Sequence, residues 1–390
     1  MRRKMQASAF LLLIITVAIY KLYINGIIDF RLFGIADLNP YGGWTAIHAY
    51  TTDSSYVFEG IGPSVALTIA LIALCLAGGR FFCGWLCPLG AAQDFTAWLG
   101  KCIGLSAGKY HEDKYTKLLF VKYAILLAVL LASILGYGAV LAGFSPWRAL
   151  LDLPGIASGW RAMEWGYLIL AGILVAPVFI GRAFCRYLCP LGAAQALVSS
   201  LSLSSMKYGE GCTQCNACLR SCPAGIKLTA GTDTISPECI RCMECVEDCR
   251  VIKDSGIHTG FRHRNMSQAG YAALMLALFA LIWLGMPQIY GKSYADVKFA
   301  LGTLKDGTYK GEADGFAGNI VTEVTIGGGK ITDIRVIKHQ ESKGWYEEPF
   351  MVLPGKIIAR QRLEVDSISG ATKTSRGLVK SVENAIKQAQ

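Results

Sequence analysis

Five apolar runs mark the first 290 residues of the chain, and the last hundred follow a different pattern. The runs extend over about Ala7 to Ile24, Gly62 to Gly79, Leu118 to Ala142, Trp165 to Ile180 and Ala269 to Met286. A helix crosses the hydrocarbon core of a bilayer with about 20 apolar residues, so each run predicts a transmembrane helix. The fourth is short and contains Pro177. Met1-Arg2-Arg3-Lys4 ahead of the first run would also suit a signal peptide. No small-x-small cleavage site follows, and Lys21 and Tyr23 read as an interfacial end, so the expectation is a retained helix. Beyond residue 290, Ile320–Ile326 and Ile331–Ile337 alternate β-branched with polar residues on either side of Gly327-Gly328-Gly329-Lys330, which predicts a hairpin. Ser375 to Lys387 sets Leu378, Val379, Val382 and Ile386 on one face, the spacing of an amphipathic helix.

Composition agrees with a membrane protein carrying soluble parts. Of 390 residues 53% are hydrophobic and 17% charged, and mean hydropathy is +0.40. The net charge of +10 is no sign of nucleic-acid binding until its distribution is known, and the distribution points elsewhere. Arg2, Arg3 and Lys4 precede the first run, Lys101, Lys109, Lys114 and Lys117 follow the second, and Arg262-His263-Arg264 precedes the fifth. The opposite connections, about 26–60 and 143–163, hold only Arg31, Arg148 and Arg161. Positive charge favours the cytoplasmic side, so the amino terminus and residues 207–265 are expected inside and residues 291–390 outside.

Eight of the 14 cysteines fall in two runs, Cys212-x2-Cys215-x2-Cys218-x3-Cys222-Pro223 and Cys239-x2-Cys242-x2-Cys245-x3-Cys249. This is the bacterial ferredoxin spacing written twice, in which three thiolates of one run hold a cubane and the fourth crosses to the other. It assigns Cys212, Cys215, Cys218 and Cys249 to one [4Fe–4S] cluster and Cys239, Cys242, Cys245 and Cys222 to a second. Zinc and a disulfide framework fit two four-cysteine runs poorly. Arg250 stands where the first run has proline.

The membrane part repeats itself. Gly79-Arg80-Phe81-Phe82-Cys83-Gly84-Trp85-Leu86-Cys87-Pro88-Leu89-Gly90-Ala91-Ala92-Gln93 returns 102 residues later as Gly181-Arg182-Ala183-Phe184-Cys185-Arg186-Tyr187-Leu188-Cys189-Pro190-Leu191-Gly192-Ala193-Ala194-Gln195. Both copies follow a helix descending to the cytoplasmic face, so the halves run parallel, related by a pseudo-twofold along the membrane normal. Cys83, Cys87, Cys185 and Cys189 are then expected to converge at the inner face. A further iron–sulfur or metal centre, redox-active thiol pairs and simple packing are all open to them. Cys75 and Cys102 have no partner spacing and read as packing residues. Lys122, near the inner end of its run, reads as a snorkelling side chain.

Twin Cys-x3-Cys-Pro segments with a double-cluster module, over about residues 60–260, resemble two related families. One is the ferredoxin-type membrane subunit of periplasmic nitrate reductase systems; the other is the polyferredoxin-like regulators of nitrous oxide and nitrite reduction. The resemblance implies electron transfer between a quinone pool or cytoplasmic donor and something outside the membrane. The nitrous-oxide-type regulators carry a flavin domain ahead of their spans, whereas here it would follow them.

Asp366-Ser367-Ile368-Ser369-Gly370-Ala371-Thr372-Lys373-Thr374 stands just before the last helix. Spacing alone offers Ser369, Thr372 and Thr374 as hydroxyl nucleophiles. With the hairpin and the helix, the stretch resembles the flavinylation motif of FMN-binding domains in the C subunit of sodium-pumping NADH:quinone reductases and the G subunit of Rnf complexes. The resemblance selects Thr372 as the carrier of FMN through a phosphodiester bond, with Ser369, Gly370, Ala371 and Thr374 around it. It also implies a flavin transferase acting on the outer side. A helix amino terminus suits the phosphate, and Lys373 and Arg376 add positive charge.

The expected fold is a polytopic α-helical membrane protein of about five transmembrane helices with an internal parallel repeat. It carries an inserted cytoplasmic two-cluster ferredoxin module and a C-terminal extracytoplasmic α+β FMN-binding domain. Boundaries fall at 1–206, 207–265, 266–290 and 291–390. None of the five histidines (His48, His111, His258, His263, His339) lies in an apolar run, and no Cys-x-x-Cys-His or phosphate-binding glycine loop appears. Haem, nicotinamide and ATP sites are therefore not expected. The chain reads as an electron-transfer protein in the cell membrane, with redox partner proteins, quinone as a candidate donor and terminal catalysis left to a partner. A redox-sensing regulator and a metalloenzyme-maturation protein are the alternatives.

Overall fold

The computed structural model describes residues 1–24, 27–28, 33, 36–41, 43–44, 47, 61–105, 116–135, 137–153, 156–208, 215, 217–226, 236–249, 257–261, 264–290, 304–341, 346–361, 363 and 371–389. They divide into two compact units, one of Met1–Ile15, Ile69–Leu150 and Met163–Ile282, the other of Thr16–Thr68, Leu151–Ala162 and Trp283–Gln390.

Helix α1 (Arg2–Ile24) and helix α2 (Pro63–Gly78) open the chain, and the first Cys-x3-Cys-Pro copy breaks into α3 (Phe81–Trp85) and α4 (Pro88–Cys102). The run expected as one helix over Leu118 to Ala142 is interrupted. After a 3-10 turn at Thr116–Phe120 come α5 (Val121–Ile134) and α6 (Gly138–Gly143), which opens on a glycine, a weak helix former. Helix α7 (Pro146–Leu151) precedes α8 (Ile156–Phe179), which starts well before the expected Trp165. The second copy forms α9 (Ala183–Tyr187) and α10 (Pro190–Ser199). In both copies the second cysteine is the N-cap and the proline follows at the first helical position, where its missing N–H costs nothing.

Two segments, Arg2–Leu22 and Gln268–Ile289, are long and apolar enough to cross a membrane. Pro63–Gly78, Leu118–Ile134 and Glu164–Phe179 are apolar but shorter. The five expected runs are thus helical in the main, the third as two separate helices, and two reach full spanning length.

Strand β1 (Ser204–Tyr208) enters the cysteine-rich segment, which holds α11 (Ala217–Ser221) and α12 (Glu244–Glu247). Strand β2 (Ile257–Phe261) returns antiparallel to β1, pairing Ser204 with Phe261 and Tyr208 with Ile257, and the short β3 (Arg264–Asn265) adds to β2. Helix α13 (Gln268–Tyr290) follows.

The other unit contains a small α+β fold. Strands β4 (Gly307–Asp314), β5 (Asn319–Gly327) and β6 (Lys330–Lys338) form one antiparallel sheet in sequence order. The β5–β6 turn is the expected hairpin. Gly328 (φ 62°) and Gly329 (φ 71°) both take the left-handed conformation that a two-residue turn requires. Helices α14 (Glu347–Arg360) and α15 (Thr372–Ile386) complete it. The predicted face of α15 is the buried one: Leu378, Val379, Val382 and Ile386 join Ile320, Val324, Ile326 and Ile331 in a single core. The helix lies so close to β4 that a Cβ on Gly311 would meet the Ser381 carbonyl oxygen at 1.9 Å.

Candidate functional site

Four cysteines drawn from both runs meet at one place. Cys222, Cys239, Cys242 and Cys245 line a single cavity together with Met206, Ala224, Ile226, Ile240 and Met243. That is the set the crossed ferredoxin pattern assigns to the second cluster, with Cys222 arriving from the first run. Arg241 (φ 51°) and Met243 (φ 61°), between the cysteines, take left-handed backbone, which curls the loop around the cavity. Among the described residues no three His, Cys, Asp or Glu groups are close enough to hold one metal ion. Mononuclear zinc would need four ligands within ~2.3 Å of one atom, whereas thiols spread around a cavity fit a multi-iron cluster. Burial pushes the free Cys242 thiol up to about 12, against the pull of Arg2, so loading a cluster must displace a proton there. Of the first cluster's set, Cys215 is exposed, Cys218 and Cys249 are half-buried, and Cys212 lies outside the described residues.

The cavity wall is also the floor of the first repeat. Cys83, Ile240 and Cys242 form one small buried cluster. The Trp85 indole N–H donates to the Arg241 carbonyl oxygen at 2.8 Å, and Arg241 in turn donates to the Ser204 carbonyl at 2.9 Å. Gly84 lets the chains touch: a Cβ there would stand 2.2 Å from the Ile240 carbonyl oxygen. The second repeat has Arg186 at the equivalent place, and its guanidinium donates to the Gly225 carbonyl at 3.0 Å, beside Cys222. The two copies therefore differ at the residue where one asymmetric module rests on a pseudo-symmetric platform.

Charge fixes the module in place. The Glu238 carboxylate, next to Cys239, accepts from Arg80 at 2.8 Å, from Tyr123 at 2.5 Å and from Lys122. Burial works against the charged Glu238, but Arg80, then Lys122 and Tyr123, hold its pKa below the usual carboxylate range. Lys122 is fully buried in this ion pair, so it does not snorkel as expected; its counter-ion comes from the cysteine-rich segment. Arg2 reaches Glu244 at 2.7 Å and Asp94 at 3.2 Å. Asp94 also takes two hydrogen bonds from Arg182, both at 2.7 Å, and one from Gln6 at 2.9 Å. Burial alone would raise Asp94; Arg182, by charge and hydrogen bond, together with Arg2, brings it down to about 2.

The four repeat cysteines influence one another electrostatically, although no three of them are close enough to hold a single metal ion. Cys87 lies within electrostatic range of Cys185, Cys83 and Cys189, and Cys189 within range of Cys185 and Cys83. Cys189 Sγ accepts the Gly192 backbone N–H at 3.3 Å, at the amino terminus of α10. Cys75 is buried, in keeping with packing, whereas Cys102 is exposed at the end of α4.

In the C-terminal fold, Thr372 is the first residue of α15, Ala371 its N-cap, and Ser369 and Gly370 lie outside the described residues. Thr374 is buried and donates to Glu341. The other Glu341 oxygen accepts the backbone N–H groups of Phe316 and Ala317 at 2.7 and 2.9 Å. This carboxylate ties the first turn of α15 to the β4–β5 loop. Glu341, Glu238, Asp94 and Glu244 belong to no motif that the sequence displays. Arg80, Arg182, Gln93 and Gln195 stand out in the sequence only as positions identical in both repeats, and that identity is the available signal.

A cavity lined by crossed ferredoxin cysteines, seated on twin Cys-x3-Cys-Pro helices and joined to a flavin-type α+β fold, defines a ferredoxin-type iron–sulfur flavoprotein. Comparison with known proteins agrees. Residues 61–106 and 163–209 match the 4Fe-4S binding domain family, 206–250 the 4Fe-4S dicluster domain family and 315–387 the FMN-binding domain family. An uncharacterized protein of Methanocaldococcus jannaschii is 31% identical over 201 residues, 50% of this chain and 79% of its own length. The ferredoxin-type protein NapH of Haemophilus influenzae is 27% identical over 199 residues, 47% of this chain and 64% of its own. The regulatory protein NosR of Pseudomonas aeruginosa is 30% identical over 226 residues, 55% of this chain and 30% of its own. The chain belongs to this family of ferredoxin-type membrane and electron-transport proteins, and it carries an FMN-binding domain at its C-terminal end.

Proposed function

We propose that the protein relays electrons between two cytoplasmic [4Fe–4S] clusters and an FMN bound covalently at Thr372 on the outer face of the membrane, serving a partner reductase or respiratory complex. The observation that carries this is the shared wall: Cys242, a ligand of the second cluster, is buried with Cys83 of the first membrane repeat. Clusters and flavin supply one-electron chemistry when bound. The chain's own residues hold, orient and shield them. Cys239, Cys242, Cys245 and Cys222 are the ligands of the second cluster, and Cys212, Cys215, Cys218 and Cys249 those of the first. Cys83, Cys87, Cys185 and Cys189 are the ligands of a third centre at the inner membrane face, supported by the match of both repeats to a 4Fe-4S binding domain.

The membrane reading takes five crossings with the amino terminus inside. Arg2 pairs with Glu244, which supports a common side for the amino terminus and the cysteine-rich module. An odd number of crossings then carries the FMN-binding domain outside, where a tether prevents loss of the flavin by dilution. The hydrocarbon core is ~30 Å thick, so quinone or a partner subunit shares the crossing.

Anaerobic reduction of the purified protein with reduced ferredoxin or quinol, following iron–sulfur and flavin signals separately, tests this reading. Sequential bleaching of both supports it. A flavin that stays oxidised beside fully reduced clusters contradicts it. A redox-sensing role is favoured by one observation, the likeness to a protein named as regulatory. It predicts a flavin whose redox state changes the exposure of the cysteine-rich module without net turnover.

A further inference from the structure

The twin repeats are laced across each other. Gln93 closes the first copy and donates Nε2 to Cys185 Sγ of the second at 3.1 Å. Gln195 closes the second copy, and its Oε1 accepts from Cys83 Sγ of the first at 3.0 Å. Each glutamine thus serves the first cysteine of the opposite copy. The arginines cross in the same sense. Arg182 donates to the Cys83 carbonyl at 2.9 Å, and the Arg80 guanidinium passes so close to Gly192 that a Cβ there would meet it at 2.9 Å.

Both glutamines are buried, at 0% and 4% exposure, and each keeps one polar atom without a partner: Oε1 of Gln93 and Nε2 of Gln195. A buried amide group left unpaired is destabilising. A pair chosen only for packing would carry leucine at lower cost. Ligation accounts for the choice. A cysteine bound to iron is a thiolate, with no proton to give. The Cys83–Gln195 bond then survives only if the Gln195 amide turns end for end, an orientation differing by exchange of its O and N positions. That turn brings the orphaned Nε2 onto sulfur and makes the two crossed bonds alike, both N–H···S.

We propose that Gln93 and Gln195 are positioning residues for an iron–sulfur centre on Cys83, Cys87, Cys185 and Cys189, each donating an amide N–H to the first cysteine sulfur of the opposite repeat. This rests on the reading of those four cysteines as one centre. Hydrogen bonds to ligating sulfur disperse the negative charge added on reduction and so raise the reduction potential.

The test is an EPR-monitored redox titration of the full-length protein, with iron counted per chain, for the parent and for Gln93→Leu, Gln195→Leu and Gln93→Glu. The expected result is a centre beyond the dicluster pair whose potential falls in each leucine variant, with dicluster signals unmoved. In Gln93→Glu, where an acceptor faces sulfur, the potential falls further or that centre's iron is lost. Unchanged potentials at full iron content overturn the glutamine role and leave the centre standing. A parent protein holding only the iron of two clusters overturns the centre and the glutamine role together. Should a leucine variant not fold, Gln93→Glu, which keeps size and polarity, decides: a potential equal to the parent's overturns the proposal.

Discussion

The indole N–H of Trp85 donates to the main-chain carbonyl of Arg241 at 2.8 Å, tying the first membrane repeat to the loop between Cys239 and Cys242. Beside it Gly84 allows the Ile240 carbonyl to approach within what would be 2.2 Å of a Cβ. The obstacle is backbone on both sides, so nothing flexible can yield. Gly84→Ala is expected to unseat the loop at a cost of about 1–3 kcal/mol or more, with loss of iron from the second cluster. Gly172→Ala, where the added methyl meets nothing within 4 Å, is the control and keeps its full iron content. Iron analysis with EPR of the reduced protein measures both.

Glu238→Gln removes the counter-charge of two buried cations, Arg80 and Lys122. Breaking a buried pair from one side costs about 3–5 kcal/mol. The expected outcome is a lower thermal midpoint in detergent. Lys122→Met with Glu238→Gln should recover part of the loss, because one stranded charge goes with it. A double variant no better than the sum of the singles would show that Lys122 and Glu238 do not act as a pair.

Asp94 links Arg2 and Arg182 and is held at about 2, below its ordinary 3.8. A carboxylate depressed in the folded state adds stability above its unfolded pKa and loses it as pH falls through the folded value. That contribution, on the order of 2 kcal/mol, is present at neutral pH and fades between about pH 4 and pH 2. Asp94→Asn should therefore flatten this acid limb of the stability curve and lower the neutral plateau. An acid limb identical in parent and variant would show that Asp94 does not contribute it.

Thr372 opens α15, and the positive end of a helix suits a phosphate attached there. Thr372→Ala is expected to abolish covalent flavin while Ser369→Ala retains it, in a host with an outer-side flavin transferase. Mass of the tryptic peptide and in-gel flavin fluorescence report this. Expression without the transferase gives flavin-free protein. Flavin retained in Thr372→Ala would move the attachment elsewhere.

What could be read in the sequence was local. Cys239, Cys242 and Cys245 sit three residues apart, and α15 turns its apolar stripe every three or four residues, so spacing alone found them. The charge network was not legible, because Arg80 and Glu238 are 158 residues apart and Arg2 and Glu244 are 242 apart. Lys122 looked like a snorkelling side chain because its partner is 116 residues away. Strand β4 escaped because Gly311 is its one buried position, leaving no apolar alternation to see. Helix α14 was masked by Pro354 in its interior. Gln93 and Gln195 were visible as identical positions, but the crossing that gives them a role exists only after the two halves meet.

The central claim is electron passage between the cysteine-rich module and the flavin of one chain. The most direct measurement uses proteoliposomes with quinone in the bilayer and the protein in one orientation, an impermeant reductant on the module's side and an impermeant acceptor on the other. The account predicts flavin reduction followed by acceptor reduction in the parent, and neither in Thr372→Ala, whose clusters still reduce. Acceptor reduced equally fast without the flavin, or flavin left oxidised beside reduced clusters, would contradict it.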